Sequence, residues 1–311
     1  MNGCDKDRAL RSIQRFIAIV VATINFGPSS PAAQSEAPIR REMLVNTDWL
    51  ATHLHDPNLI VVCIVDDERF YLSGHIPGAR MIRLSDIVTT RDGVPNELPS
   101  VSHLRSVFEK AGVSNDSRIV LYGERSGMPA ARAYFTLDYL GITDRTSLLD
   151  GGMEKWRAEE RQESTATPPV RVGKLEIRAH PEIVVSLAKM AEYSRSTEGP
   201  AILIDSRPKA EYTGEKLSED VPQRGHIPHA AGLYWRNLLR DDSIPELKSA
   251  TELQELFHAA GAAPGKEIIT YCRTGMQSSF SYFVAKYLGY RVRMYDGSFY
   301  EWSRSSLPIE P

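Results

Sequence analysis

The sequence predicts an α/β fold of two similar domains, each a mostly parallel sheet flanked by helices on both faces. The first observation is that short apolar, strand-like runs alternate along the chain with stretches of helical periodicity. This alternation is typical of parallel sheets that are covered by helices. The second observation is that the whole pattern occurs twice, in the same order and at similar spacing.

The repeat is visible as matching short segments, several of which contain the same glycine, proline or aromatic residues. The matching pairs, in chain order, are 73–79 with 224–230, 125–135 with 273–283, 139–141 with 287–289 and 150–156 with 296–302. Chance does not explain a kept order and spacing. We therefore predict domains at 40–165 and 176–309. The Ser-, Thr- and Pro-rich composition of the region between them predicts a linker at 166–175.

For the second copy, the residue ranges of individual strands and helices can be predicted. We predict strands at 202–205, 267–271 and 291–295 and helices at 251–261 and from about Ser278, with Gly289 ending the second helix. Ligands bind at the carboxyl ends of the strands in such sheets. Both Cys272 and the segment 205–207 stand at carboxyl ends, so we expect the functional site there.

Cys272 stands at the end of an apolar strand, in a short loop before a helix. Unpaired N–H groups and the helix dipole both favour a negative sulfur at this place. A lone cysteine is usually a small buried apolar residue. Such a residue gains nothing from a polar, glycine-containing loop with Arg273 beside it, so we predict that Cys272 is a nucleophile.

The other two cysteines are weaker candidates for a nucleophile. Cys63 lies in the apolar run 60–65, which predicts a buried strand, and Cys4 lies near the N-terminus. Three cysteines without a CxxC or Cys/His pattern argue against a disulfide scaffold and against a structural zinc site. We expect no metal and no organic cofactor.

Composition and charge narrow the class of protein. The 311 residues suit about two domains, and 42% hydrophobic with 25% charged residues is the composition of a soluble globular protein. A formal net charge of −3 gives no sign of a nucleic-acid partner. Two halves that pair with each other leave little need for a second chain, so we expect a monomer.

The N-terminus has a composition of its own. Basic residues precede an apolar stretch at 16–24, and small residues follow at 27–35. This pattern predicts a secretory signal peptide at 1–35, with cleavage between Ala32 and Ser35. The apolar stretch is short for a membrane span, so we expect a periplasmic or secreted protein without stable membrane insertion. The alternative is a cytoplasmic protein, in which this segment is a frayed amphipathic helix or results from a mis-assigned start codon.

An ordered set of motifs in the second copy resembles the rhodanese family of tandem-domain sulfurtransferases, over nearly everything after residue 40. The set comprises Asp205-Ser206-Arg207 with Glu211-Tyr212, the turn 225–228, the loop 272–277, and Asp296-Gly297 with Trp302. The resemblance implies that Cys272 takes the outer sulfur of a small anionic donor as a persulfide. It then implies transfer to a thiophilic acceptor such as cyanide or another thiol.

The resemblance also implies substrate-binding residues, which are Arg207, Arg273, Thr274, Gly275, Met276 and Gln277. The loop N–H groups would cradle the negative outer sulfur, Gly275 permits the tight turn, and Arg273 can pair with the thiosulfate dianion. Relatives that use mercaptopyruvate typically have a loop Cys-Gly-Ser-Gly-Val-Thr without this arginine, so thiosulfate is favoured. Arg207 matches the family arginine that helps to bind the donor, and its alternative role is an ion pair with Glu211.

The first copy lacks this chemistry. Aligning the helices of the two copies puts Glu124 where Cys272 stands, with Gly123 next to it. A carboxylate cannot hold the sulfur and repels an anionic donor. We therefore predict that this domain is an inactive structural partner that forms one wall of the cleft, and that His75 and His226 anchor the fold in their matching turns.

Three other functions share part of this sequence pattern. A dual-specificity phosphatase needs an arginine after five intervening residues, but Ser278 stands there. A 3-mercaptopyruvate sulfurtransferase and a non-catalytic persulfide carrier or binding module both remain compatible with the loop.

Overall fold

The computed structural model describes residues 38–196, 199–241 and 243–311. The signal peptide predicted at 1–35, together with Cys4, lies outside the described residues. Among the helices of the described ranges, none has the length and apolar character that a membrane span requires.

Eleven strands form three sheets in the described part of the chain. They are β1 (Leu44–Val45), β2 (Leu59–Val65), β3 (Arg80–Arg83), β4 (Thr89–Arg91), β5 (Val94–Glu97), β6 (Arg118–Gly123), β7 (Thr146–Leu149), β8 (Ala201–Asp205), β9 (Ala231–Gly232), β10 (Glu267–Tyr271) and β11 (Arg291–Met294).

Ten α-helices connect or cover these strands in the same described ranges. They are α1 (Thr47–His53), α2 (Glu68–Leu72), α3 (Val101–Lys110), α4 (Met128–Tyr139), α5 (Gly152–Ala158), α6 (Leu187–Tyr193), α7 (Lys209–Tyr212), α8 (Ala250–Ala259), α9 (Met276–Tyr287) and α10 (Ser298–Trp302).

Each copy of the repeat builds one parallel sheet. The first sheet has the order β1-β7-β6-β2-β3 and the second has the order β11-β10-β8-β9, and every pairing within them is parallel. A parallel bridge between Val184 and Met294 extends the second sheet where β1 extends the first. The predicted fold class, two α/β domains with parallel sheets flanked by helices, is confirmed.

The apolar residues of each inner strand alternate between two cores. In β2, for example, Ile60, Val62 and Ile64 belong to a large core shared by both domains, while Val61 and Cys63 belong to an outer core of the first domain. The second domain has a matching outer core. Both faces of each sheet are therefore buried, which explains why the strands read as unbroken apolar runs.

Helices α4 and α9, which follow the equivalent loops of the two copies, pack against each other in the shared core. Tyr134 and Phe283 meet edge to face at a centroid distance of 4.9 Å, and Phe135 meets Tyr282 at 5.0 Å. Such aromatic pairs add to the free energy gained from burial alone. The contact places the N-termini of both helices, and the loops before them, on either side of one cleft.

The antiparallel hairpin β4–β5 interrupts the alternation of strands and helices in the first domain. Its turn is Asp92-Gly93, and both residues have positive φ, 51° and 80°, as the two-residue turns that match strand twist require. The hairpin ends at the second domain, where Asn96 contacts the loop after β10. This hairpin is not among the elements predicted from sequence, although the Asp-Gly pair at its turn is a hairpin signal.

Candidate functional site

A cleft of about 260 Å³ lies between the two domains, and both contribute to its walls. The first domain supplies Asp66, Leu84, Asn96, Arg125 and Met128, and the second supplies Cys272, Arg273, Thr274, Met276 and Gln277. Five of the seven predicted site residues therefore lie together. The two that do not line the cleft are Gly275 and Arg207.

Cys272 follows directly on β10, which lies between β11 and β8 in the sheet. Its residue surface is 1% exposed, although it borders the cleft. The carbonyl oxygens of Cys272 and Arg273 each accept a hydrogen bond of 2.9 Å, from the N–H groups of Phe299 and Tyr300. Helix α10 thus holds the back of the loop, and the sulfur stands in a fixed frame.

Gly275 is the N-cap of α9 and has φ +81°. A Cβ atom at this position would lie 2.5 Å from Asp296 Oδ1, so both the backbone conformation and the available space require glycine. The helix begins at Met276, two residues before the predicted start, because the left-handed glycine closes the loop early. Gly275 therefore determines the conformation of the loop but does not line the cleft.

Ser298 fixes both ends of the loop. It is fully buried, and its Oγ accepts hydrogen bonds from the N–H groups of Cys272 at 3.2 Å and Gly275 at 3.1 Å. It also donates to the carbonyl oxygen of Tyr295. Its φ of 54° is uncommon for a non-glycine residue. Ser298 is not among the site residues predicted from sequence, although it directly follows the motif Asp296-Gly297.

The remaining N–H groups of the loop are available to the cleft. Within the described residues, those of Arg273 and Thr274 have no acceptor, and the first N–H groups of α9 lack partners inside the helix. These N–H groups carry partial positive charge, and the loop that contains Cys272 leads directly into the N-terminus of a 12-residue helix. The arrangement suits a negatively charged sulfur and an anionic ligand.

Arg273 lines the cleft and makes a surface ion pair, with Nη1 3.1 Å from Glu219 Oε2. The side chains are 38% and 77% exposed. An ion pair this exposed to water contributes at most about 1 kcal/mol. An anion that enters the cleft can therefore compete for the guanidinium.

Arg207 is placed elsewhere, and the expectation that it contacts the donor does not fit this placement. Its side chain is 1% exposed and binds Asp205 with Nη2–Oδ2 at 2.5 Å and Nε–Oδ1 at 3.0 Å. It also stacks over Phe299, 4.0 Å from the ring centroid. Burial acts to lower the pKa of Arg207, but attraction by Asp205 outweighs burial and raises it. Arg207 braces the strand end, and its main partner is Asp205 instead of the expected Glu211.

Arg125, which the sequence analysis did not select, lines the cleft from the first domain and pairs with Asp66. Arg125 and the next residue, Ser126, have positive φ of 52° and 59°. Two consecutive left-handed non-glycine residues are costly unless the surroundings enforce them. The available signal was loop length, because the first loop has one residue more than the second between the strand tyrosine and the helix methionine.

The equivalent tyrosines of the two strands show what replaces the thiol. The Tyr122 hydroxyl accepts a hydrogen bond from the N–H group of Ile76 at 3.3 Å, as the Tyr271 hydroxyl does from the N–H group of Ile227 at 3.2 Å. Counting from these tyrosines puts Gly123 at the position of Cys272. The Glu124 carboxylate accepts from the N–H groups of Asp66 and Asp67, and Glu124 itself is not among the cleft-lining residues. Burial raises the pKa of Glu124.

The sequence predicts structural roles for three further residues, Cys63, His75 and His226. Cys63 is fully buried in β2, and burial raises the pKa of its thiol to about 12, so it is inert at neutral pH. His75 and His226 each stack on the tyrosine before the turn, at centroid distances of 3.7 Å and 4.0 Å. Both histidines therefore serve as anchors of the fold.

Comparison with protein families gives two matches to the Rhodanese-like domain, at residues 46–159 and 189–305. Among curated proteins, the sulfur carrier protein TtuD of Thermus thermophilus is 36% identical over 271 residues, covering 84% of this chain and 93% of the relative. The 3-mercaptopyruvate sulfurtransferase of Escherichia coli K12 is 30% identical over 86% of this chain and 97% of its own. A protein of Saccharopolyspora erythraea, provisionally named a thiosulfate sulfurtransferase, is 32% identical over 87% and 97%.

Solved structures give the same fold. The 3-mercaptopyruvate sulfotransferase SseA from Escherichia coli superposes with a TM-score of 0.73 at 28% identity, covering 82% of this chain and 98% of the other. The enzyme EanB in complex with ergothioneine gives a TM-score of 0.77 at 24% identity, over 86% of this chain and 70% of the other. At that identity the second likeness concerns the fold alone.

Proposed function

Because the chain belongs to the rhodanese family and is a sulfurtransferase of that type, we propose that it transfers the sulfane sulfur of thiosulfate to a thiophilic acceptor through a persulfide on Cys272. The acceptor is cyanide or a thiol. The second domain carries the reaction, and the first domain completes the cleft.

The proposed reaction has two displacement steps. The Cys272 thiolate attacks the outer sulfur of thiosulfate, so that a new S–S bond forms and the bond to the sulfonate sulfur breaks. Sulfite leaves with the electron pair, and the outer sulfur stays on Cys272 as a persulfide with one negative charge. The acceptor then attacks this outer sulfur, and the Cys272 thiolate is released for the next cycle.

The observation that carries the choice of donor is the pair of arginines beside Cys272. Arg125 and Arg273 line the same cleft from different domains, and each has a guanidinium that can bind a sulfonate with two hydrogen bonds. The acidic partners, Asp66 and Glu219, are both at the surface, with side chains 40% and 77% exposed. The open N–H groups of the loop add further donors for an anion.

A sulfur-transfer assay with thiosulfate as donor and cyanide as acceptor tests the proposal. We expect turnover by the wild type and none by Cys272→Ser, since an alkoxide is not available at neutral pH and no other described thiol borders the cleft. Cys63→Ser is the matched control and should retain the rate. Intact mass after thiosulfate treatment should increase by one sulfur atom in the wild type and not in Cys272→Ser.

Mercaptopyruvate is the competing donor, and it is run beside thiosulfate in the same assay. A clearly higher kcat/KM with mercaptopyruvate contradicts our interpretation of the two arginines. The 30% identity to a 3-mercaptopyruvate sulfurtransferase makes this comparison necessary.

A persulfide carrier is a second candidate function, favoured by the 36% identity to a sulfur carrier protein over 93% of that relative. A carrier would receive sulfur on Cys272 from a partner protein and release it to another. Loading of Cys272 by a persulfidated protein, without turnover of thiosulfate, would support the carrier over the enzyme.

We also propose that the chain acts outside the cytoplasm. The basic, apolar and small-residue segments of the N-terminus support export. N-terminal sequencing of the protein from a periplasmic extract tests this, because an intact N-terminus there or recovery in the cytoplasm alone contradicts it.

A further inference from the structure

Among the described residues, one side-chain hydrogen bond joins the first domain to the loop that carries Cys272. Asn96 Nδ2 donates a hydrogen bond of 3.0 Å to Thr274 Oγ1, across 178 residues of sequence. Both residues line the cleft together with Cys272. The contact therefore lies where the donor must bind.

Asn96 is held in place from behind. Its φ of 62° lies in the left-handed region, where asparagine is enriched among non-glycine residues. Its carbonyl oxygen accepts a 2.5 Å hydrogen bond from Arg132 Nη2. Arg132 is fully buried and also binds both carboxylate oxygens of Asp296, at 2.5 Å and 3.0 Å. This buried pair fixes the position from which the Asn96 amide is presented.

The contact determines what the Thr274 hydroxyl can do. A hydroxyl has one hydrogen to donate and two lone pairs that accept. The Asn96 amide occupies a lone pair, and among the described residues no group accepts the hydroxyl hydrogen. The hydrogen is thereby left for an acceptor in the cleft, where negative charge resides on the donor and on the outer sulfur.

We propose that Asn96 is a positioning residue, which holds the Thr274 hydroxyl as a hydrogen-bond donor toward the negatively charged sulfur or oxygen atoms in the cleft. The inference rests on the proposed function and adds a role for the first domain. Hydrogen bonds to a developing or resident negative charge strengthen in a site that excludes water. The domain without the thiol thus orients a group that contacts the reacting atoms.

A double-mutant cycle in the full chain tests the proposal, with kcat/KM for sulfur transfer as the readout. We expect Asn96→Ala to lower kcat/KM about 5-fold and Thr274→Val about 10-fold, which is the size of the loss of one ordinary hydrogen bond. The double variant should equal Thr274→Val alone, because Asn96 acts only through the hydroxyl. Independent, additive losses would overturn the proposal.

Asn96→Asp gives a second test, because it exchanges a donor for an acceptor. The carboxylate should take the hydroxyl hydrogen and turn it away from the cleft, so this variant should lose more activity than Asn96→Ala. In the Thr274→Val background Asn96→Asp retains only charge repulsion, and its effect there should be smaller than in the wild type. An equal effect in both backgrounds contradicts the proposal.

Two controls separate positioning from folding. Asn115→Ala removes an asparagine of the same domain that bonds only to the backbone of Glu176, and it should retain the rate. Thr274→Ser keeps a hydroxyl, so Asn96→Ala must still lower kcat/KM in that background; an insensitive Thr274→Ser enzyme refutes the mechanism.

The cycle also distinguishes failure of the donor assignment from failure of this inference. If mercaptopyruvate loads Cys272 and thiosulfate does not, the proposed donor is wrong, and the same cycle measured with mercaptopyruvate decides the role of Asn96. If neither donor adds sulfur to Cys272 in the wild type, both proposals fail.

Discussion

Arg125 and Arg273 are the two arginines among the described residues that line the cleft. Replacing either with alanine should raise KM for thiosulfate about 10-fold, the equivalent of one charge-assisted contact of about 1.4 kcal/mol. Steady-state kinetics with varied thiosulfate at saturating cyanide measures the effect.

Arg105→Ala provides a matched control, because this arginine is 46% exposed, pairs with Glu109 on α3 and does not line the cleft. Its KM should stay within twofold of the wild type. If Arg125→Ala behaves like Arg105→Ala, Arg125 has no part in binding the donor and the cleft presents one cation instead of two.

The glycines that cap the equivalent helices α9 and α4 differ in the space available to a side chain. Gly275 and Gly127 are left-handed N-caps of α9 and α4, with φ +81° and +78°. A Cβ at Gly275 would press on Asp296, whereas the nearest neighbour of a Cβ at Gly127 is Phe280 at 4.0 Å. We expect Gly127→Ala to cost about 1 kcal/mol of stability for strain alone, and Gly275→Ala to cost about 2 to 3 kcal/mol.

Chemical denaturation of both variants measures the difference. Gly275→Ala should also lower sulfur loading of Cys272, since the loop N–H groups must shift with Asp296. Equal losses of stability in the two variants would show that the space beneath Gly275 does not constrain the loop.

The elements that were predictable from sequence are those whose apolar pattern reflects burial on both sides. Strand β10 was placed at 267–271 and found at Glu267–Tyr271, and the buried strand around Cys63 is also observed. The helix predicted at 251–261 is observed at Ala250–Ala259. In these segments local periodicity and tertiary packing specify the same structure.

Long-range contacts explain what the sequence did not predict. The hairpin β4–β5 owes its place to contacts with the other domain, and the left-handed Arg125 depends on an extra loop residue whose effect no local pattern reveals. The expected contact of Arg207 with the donor follows from its match to the family arginine. Asp205, two residues before it, pairs with it inside the core.

A buried ion pair between Arg132 and Asp296 joins the two domains. Arg132 and Asp296 are 0% and 1% exposed. Removing one partner of a buried pair leaves an uncompensated charge and costs about 3–5 kcal/mol. Arg132→Gln should therefore lower the free energy of unfolding strongly, and the neutral double variant Arg132→Gln with Asp296→Asn should recover part of the loss.

Urea denaturation measures these variants, with Arg83→Gln as the control for an exposed arginine paired to Glu68 and Asp86. The control should change stability by less than about 1 kcal/mol. A double variant no more stable than Arg132→Gln alone would show that the lost bond to Asn96, and not the stranded Asp296 charge, causes the destabilisation.

Glu97 makes the stability of the interdomain region depend on pH. Burial, followed by repulsion from Asp296, raises its pKa to about 7, although Arg91 acts in the opposite direction. An acid with a raised folded-state pKa stabilises the fold fully below the unfolded value and loses that contribution as pH rises through about 7. Glu301 and Arg132 are the other charged groups that face it.

Glu97→Gln should consequently be more stable than the wild type at pH 8, by about 1 kcal/mol, and close to it at pH 5. Unfolding free energies at the two pH values measure the change; a difference independent of pH would show that Glu97 does not titrate in the folded protein.

The shared core and the composite cleft have a consequence for chains divided in the linker. An isolated C-terminal half would possess the nucleophilic thiol but expose the apolar side of α9, and it would lack every cleft residue of its companion. Fragments of this kind tend to aggregate when made singly. Produced in the same cell, the two halves should recognise each other through these surfaces, so fragment complementation would report on domain assembly directly.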